Sequence, residues 1–201
     1  MLITLLLIPL FGALLIAFLP GRSAQLVRMT ALATAAATLA WALWLASAFD
    51  PAIATAQLVE THVWNPRLGS AFTLGVDGLS LPLVWLAALL ALIAILASGS
   101  IKEKPKGYYL LLLLLEAAML GVFTARDWSL FYVFWELTLI PLFFLIDRWG
   151  GKNRSRAALN FVLYTMGGSV FMLIALLMLY DASPAHSFDM AAIREGARLL
   201  P

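Results

Sequence analysis

Residues 131–150 read Phe-Tyr-Val-Phe-Trp-Glu-Leu-Thr-Leu-Ile-Pro-Leu-Phe-Phe-Leu-Ile-Asp-Arg-Trp-Gly. From Trp128 to Ile146 the chain runs through nineteen almost unbroken apolar residues. As a helix they cross a hydrocarbon core of about 30 Å. Glu136 is the ninth of the nineteen. A carboxylate at that depth costs roughly 2.5 to 3.5 kcal/mol on insertion scales, so it is kept neutral or meets a polar partner or water. That makes Glu136 the first candidate site residue. Pro141, five residues on, lacks an amide proton and presses on the carbonyl of Leu137, which predicts a helix bend just past the acid.

The rest of the composition agrees with a membrane protein. Of the 201 residues, 63% are hydrophobic and 12% charged, with a mean hydropathy of +0.96. The net charge of +2 is spread over loops between apolar spans and forms no aromatic-interleaved basic patch, so no nucleic-acid partner is expected. Without a cysteine the chain has no disulfide, thiolate metal site or iron–sulfur ligand of its own. His62 and His186 are isolated in polar segments, without metal-ligand spacing.

Working outward, the pattern predicts an all-α integral membrane protein with six transmembrane helices, over residues 1–19, 26–48, 79–97, 107–125, 128–146 and 157–180. The first run has no basic stretch ahead of it and no small-x-small cleavage site behind it, so it reads as a retained span rather than a signal peptide. Trp41 and Trp44 suit an interfacial belt or packing against a neighbouring helix. Residues 50–78 form a polar loop with a weakly strand-like stretch at 71–76, and Asp77-Gly78-Leu79-Ser80 reads as a turn capping the third span. Gly167-Gly168-Ser169 in the sixth span leaves room for another helix to approach. Residues 181–201 are a polar tail, weakly amphipathic from Phe188 to Leu200.

Orientation follows from Lys and Arg. Arg22, Arg28, Lys102, Lys104, Lys106, Arg148, Lys152, Arg154 and Arg156, nine in all, flank the connections after spans one, three and five. Arg67, Arg126, Arg194 and Arg198, four in all, lie on the other side. The excess places the odd connections in the cytoplasm, and the N-terminus, residues 50–78 and the tail outside it.

Glu116 is the tenth residue of span four, and only Arg126-Asp127 separates that span from the fifth. Spans four and five are therefore antiparallel neighbours, with Glu116 and Glu136 at similar depth near the midplane. Burial disfavours an ionised carboxylate and a nearby cation restores it. At about 4 Å and an effective dielectric near 20 the pair interacts by roughly 4 kcal/mol, so moving a cation in and out would load and unload a proton. No cation of this chain reaches that depth: Arg126 is about 15 Å and Arg148 about 18 Å along the helix from Glu136. The competing reading for each acid is a neutral carboxyl bonded across helices for packing alone.

The string Phe-Trp-Glu-Leu-Thr-Leu-Ile-Pro from Phe134, with Arg148-Trp149-Gly150, resembles the fifth helix of the antiporter-like chain M (mitochondrial subunit 4) of proton-pumping NADH:quinone oxidoreductase, respiratory complex I. Gly75-Val76-Asp77-Gly78-Leu79-Ser80 resembles the lead-in to that family's third helix. Leu120 to Asp127 resembles its connection between helices four and five, and Asn160 to Thr165 with Gly167-Gly168-Ser169 its sixth helix. The resemblance implies the N-terminal part of a fourteen-helix antiporter-like fold with two inverted five-helix repeats. It implies that Glu136 is the acid that pairs with a lysine on helix seven, and that Glu116 has a looser counterpart. Pro201 precedes any such lysine, which fits a fragment, a split subunit completed by another chain, or a truncated product.

By the same resemblance the chain is a membrane-arm subunit contributing part of a proton channel. It holds no cofactor itself, since NADH, FMN, the iron–sulfur clusters and quinone belong to other subunits. Its partners are those subunits and the lipid bilayer, in a bacterial inner membrane. Relatives in cation/proton antiporters and membrane-bound hydrogenases share the fold and are the alternative, with an inactive membrane scaffold as the third reading.

Overall fold

The computed structural model describes residues 1–20, 23–184 and 186–197. Arg22 and Arg198, counted above toward orientation, and the end of the amphipathic tail lie outside the described residues. Six apolar helices follow one another: α1 (Leu2–Phe18), α2 (Ala24–Leu45), α3 (Ser80–Ala97), α4 (Pro105–Thr124), α5 (Trp128–Trp149) and α6 (Arg154–Ala182). A β-hairpin, β1 (Gln57–Asn65) and β2 (Ser70–Val76), fills the interval between α2 and α3, and a short helix α7 (Met190–Ala197) lies in the tail. Five of the helices are long and apolar enough to cross a membrane. The exception, α1, has 17 residues, or about 26 Å, the short end of the spanning range.

Helix ends differ from the apolar boundaries. α5 continues through Asp147-Arg148-Trp149, and α6 begins at Arg154 and runs for 29 residues. Helical hydrogen bonding does not stop where apolar side chains do, and charged residues in the last turn can extend into the headgroup layer. α4 is the hub: it packs against α1, α2, α3 and α5, and α5 in turn packs against α6. The approach of α4 to α5 is close because Gly121 has no side chain, and a Cβ there would lie 2.3 Å from the ring of Phe134. Trp41 packs inward, its indole N–H donating to the Met1 carbonyl at 3.1 Å. Gly167 and Gly168, by contrast, face open space, and Tyr164, Phe171 and Met178 on α6 are more than two-thirds exposed.

The hairpin and tail gather at the end of the bundle where α4 turns into α5. β1 and β2 pair antiparallel with Thr61 opposite Thr73 and His62 opposite Phe72. A register shift between Gln57 and Glu60, with Leu58 at φ 53°, breaks the alternation of β1 and hides it from a period-two reading. Gly69 follows the hairpin turn at φ +56°, and a Cβ there would sit 2.7 Å from the His186 carbonyl, so the tail can lie directly on it. Phe188 N–H donates to Gly69 O at 3.2 Å. Glu60 reaches the start of α1, accepting from the Met1 ammonium and from Leu2 N–H at 2.8 Å.

Candidate functional site

Glu116 lies eight residues before the end of α4 and Glu136 eight residues after the start of α5. At 1.5 Å per residue both sit about 12 Å from the α4–α5 connection. Glu116 is 1% exposed, wedged where α4 meets its neighbours. Neither of its carboxyl oxygens has a hydrogen-bond partner among the described residues. Glu136 is half-buried and lines a cleft of about 400 Å³ between α5 and α6, with Leu139, Ile140, Phe143, Val162 and Met166 around it. Its Oε1 is buried and likewise without a partner. The Tyr132 hydroxyl, one turn earlier, lies beside both the Glu136 carboxyl and the Ser169 hydroxyl of α6.

Neither acid forms an ion pair among the described residues. No group of His, Asp and Glu there is arranged to hold a metal ion. Unsatisfied buried carboxyl oxygens are costly, and Glu116 and Glu136 are the acids among the described residues that carry them. α5 runs unbroken across Pro141, which is buried.

The depth of the two acids depends on the α4–α5 connection, and that connection is tied into the hairpin. Arg126 N–H donates to Thr73 O at 2.8 Å, and Trp128 N–H to Phe188 O at 2.8 Å. Asp127 caps α5, its Oδ1 accepting from Ser129 N–H at 2.9 Å and Leu130 N–H at 3.1 Å. Its Oδ2 accepts from Ala71 N–H on β2 at 3.0 Å.

Across about a third of their length, cyanobacterial quinone oxidoreductase subunits match nearly all of this chain. "NAD(P)H-quinone oxidoreductase chain 4 1" of Synechococcus elongatus is 42% identical over 192 residues, 94% of this chain and 36% of that protein. Chain 4 2 of Thermosynechococcus vestitus is 42% identical over 190 residues, 93% of this chain and 35% of that protein. Among solved structures, respiratory complex I from Thermus thermophilus superposes with a TM-score of 0.81 at 30% identity, covering 96% of this chain and 38% of the matched one. The family profile described as NADH:quinone oxidoreductase/Mrp antiporter, TM, matches residues 125–195. Over nearly its whole length the chain is thus similar to antiporter-like chain 4 subunits of quinone oxidoreductases. The Mrp complex of Dietzia shares the fold, with a TM-score of 0.76 at 24% identity over 94% of this chain and 20% of the matched one.

The sequence singled out both acids, and the structure puts them on adjacent packed helices. What it missed is the polar junction beneath them. Asp77 pairs with Arg126 at 2.8 Å, and its Oδ1 accepts from Leu79 N–H and Ser80 N–H at 3.0 and 2.8 Å, closing the turn before α3. Burial by itself pushes the Asp77 carboxyl up. The Ser80 N–H, the Arg126 guanidinium and the Leu79 N–H together outweigh it and hold the group at about 2, below its ordinary 3.8. A depressed carboxylate stabilises the fold above its unfolded pKa and loses that contribution as pH falls through the folded value. Acidification from pH 4 to pH 2 therefore loosens the hairpin from α3 and Arg126. Asp77→Asn removes this step, and comparing acid unfolding of the two proteins by near-UV circular dichroism checks it.

Proposed function

We propose that the chain forms part of the proton path in a membrane-arm subunit of a proton-translocating NADH:quinone oxidoreductase, with Glu136 as the proton carrier and Glu116 as a second acid on the adjoining helix. The observation that carries the reading is Glu136 itself: a carboxyl with a buried, unbonded oxygen in an apolar cleft, on a helix whose outer neighbour α6 is largely uncovered. An acid at that depth marks a proton relay or pairs with a cation on another helix. The chain spans about a third of its relatives' length, and elements outside it are where that cation would arise. The open glycine face of α6 is suited to receive such elements.

In this reading Tyr132 and Ser169 steady the carboxyl and can pass hydrogen bonds to water entering the cleft, and Pro141 marks a bend in α5 beyond it. The basic connections face the cytoplasm. The N-terminus, hairpin and tail face the opposite side of a bacterial inner membrane, with residues 1–180 as the transmembrane region and residues 181–201 leading toward a further helix. Redox groups belong to other subunits. The second reading, a subunit of a cation/proton antiporter, draws on the fold shared with the Mrp complex.

Sodium separates the two. Inverted membrane vesicles carrying the assembled complex are expected to acidify on NADH addition at the same rate in sodium-free and sodium-containing buffer. Acidification that requires sodium would replace the first reading by the second.

A further inference from the structure

At the end of the bundle opposite the hairpin, α4 begins at Pro105 and α5 ends at Trp149, and two clefts meet there. One, of about 240 Å³, is polar and is lined by Glu103, Lys104, Asp147, Arg148, Trp149, Arg154 and Ser155. The other, of about 260 Å³, is apolar and runs along the lipid-facing groove between α4 and α5, past Gly107, Leu110, Leu111 and Phe144. Lys104, Arg148 and Trp149 line both. The two cations therefore stand where an apolar groove opens into a polar pocket.

Neither Lys104 nor Arg148 is engaged in an ion pair among the described residues, and nor is Arg154. Three cations against two carboxylates leave the polar cleft with one net positive charge. The junction is built rather than loose. Trp149 Nε1 donates to Glu103 O at 2.9 Å, Tyr108 packs edge-on against Trp149 with centroids 5.2 Å apart, and Arg154 Nη1 donates to Arg148 O at 2.8 Å. Lys104 is set by an unusual backbone, at φ 45° immediately before Pro105.

A ligand that fits has an apolar tail, then a single negative charge, then a small polar end. We propose that this groove holds one bilayer phospholipid, its phosphodiester between Lys104 and Arg148, an acyl chain along Leu110, Leu111 and Phe144, and its headgroup toward Arg154, Asp147 and Glu103. Indole at headgroup depth and a basic pocket between helices are the chemistry by which membrane proteins retain such lipids. A free phosphate would leave the apolar groove empty. A lipid without phosphate would leave the net positive charge unmatched.

The test is native mass spectrometry of the protein extracted in mild detergent and titrated with dioleoylphosphatidylglycerol, dioleoylphosphatidylethanolamine or a dioleoyl galactolipid that lacks phosphate. The wild type is expected to retain one molecule of either phospholipid and not the galactolipid. Replacing both Lys104 and Arg148 by Gln is expected to weaken retention about thirtyfold. Arg156→Gln, which removes a nearby cation that does not line the groove, is expected to leave it unchanged. Circular dichroism of each lipid-free variant identifies any that has failed to fold, and Arg148→Gln alone, expected to weaken retention by about fivefold, then serves in place of the double variant. Equal retention of the galactolipid, or the same loss with Arg156→Gln as with the double variant, would overturn the site.

Discussion

Glu136→Gln is expected to abolish proton translocation by the assembled complex while leaving the fold intact. Glutamine has the shape of a protonated glutamate and is neutral at every pH, so it keeps the packing against Leu139 and Met166 around the cleft and removes only the exchangeable proton. A proton relay that loses its carrier typically slows by about 100-fold or more. If Glu136 were instead a neutral packing residue, Gln would preserve its role and pumping would continue at the wild-type rate. The measurement is the ratio of protons moved to NADH oxidised in inverted vesicles, with subunit assembly checked on native gels. Normal assembly with a wild-type ratio sinks the carrier role. Thermal stability is expected to hold or rise, because a buried ionisable group with an unbonded oxygen has been replaced by a neutral one.

The transmembrane helices were legible because each is a long apolar run interrupted by short charged stretches, and lipid permits little else than a helix for such runs. The similar depth of Glu116 and Glu136 was legible too, since a two-residue connection fixes the register of α4 against α5 and only counting is needed. The first strand was not. Gln57 to Asn65 carries a bulge and no clean alternation, and it is a strand because Thr73 and its neighbours pair with it, a relation that no local pattern records. Arg126 and Asp127 were likewise read only as a tight connection. Their partners, Asp77, Thr73 and Ala71, are about fifty residues upstream, so their roles as ion pair, ladder donor and cap emerge only when the hairpin folds back on the bundle. The centrality of α4 over α5 has the same origin: a uniformly apolar helix does not announce how many neighbours it will have.

Asp127→Ala is expected to be the most destabilising single change at this junction. Asp127 is 1% exposed, and both its oxygens are used. Oδ1 accepts from the backbone of Ser129 and Leu130 and from the Ser129 hydroxyl at 2.5 Å, while Oδ2 accepts from Ala71 N–H. Loss of the helix cap costs about 1 to 2 kcal/mol. Leaving the Ala71 N–H without its acceptor at a half-buried site adds about 1 to 3 kcal/mol. The sum, on the order of 2 to 5 kcal/mol, is a large part of a typical domain's net stability and corresponds to a fall in Tm of roughly 10 °C for a chain of this size. Asp127→Asn keeps one acceptor oxygen for the cap but turns an amide N–H toward the Ala71 N–H, so it is expected to fall between Ala and wild type. Thermal unfolding in detergent, followed by circular dichroism, orders the three proteins. Were Ala as stable as wild type, the cap and the strand contact would have no part in holding α5 to the hairpin. Were Asn as unstable as Ala, the strand contact would be the dominant one. Because the same residue sets where α5 begins, even a variant that folds is expected to let Glu136 shift against Glu116. Slower proton movement at unchanged NADH oxidation would then be the functional sign of a purely structural lesion about 12 Å from the acids.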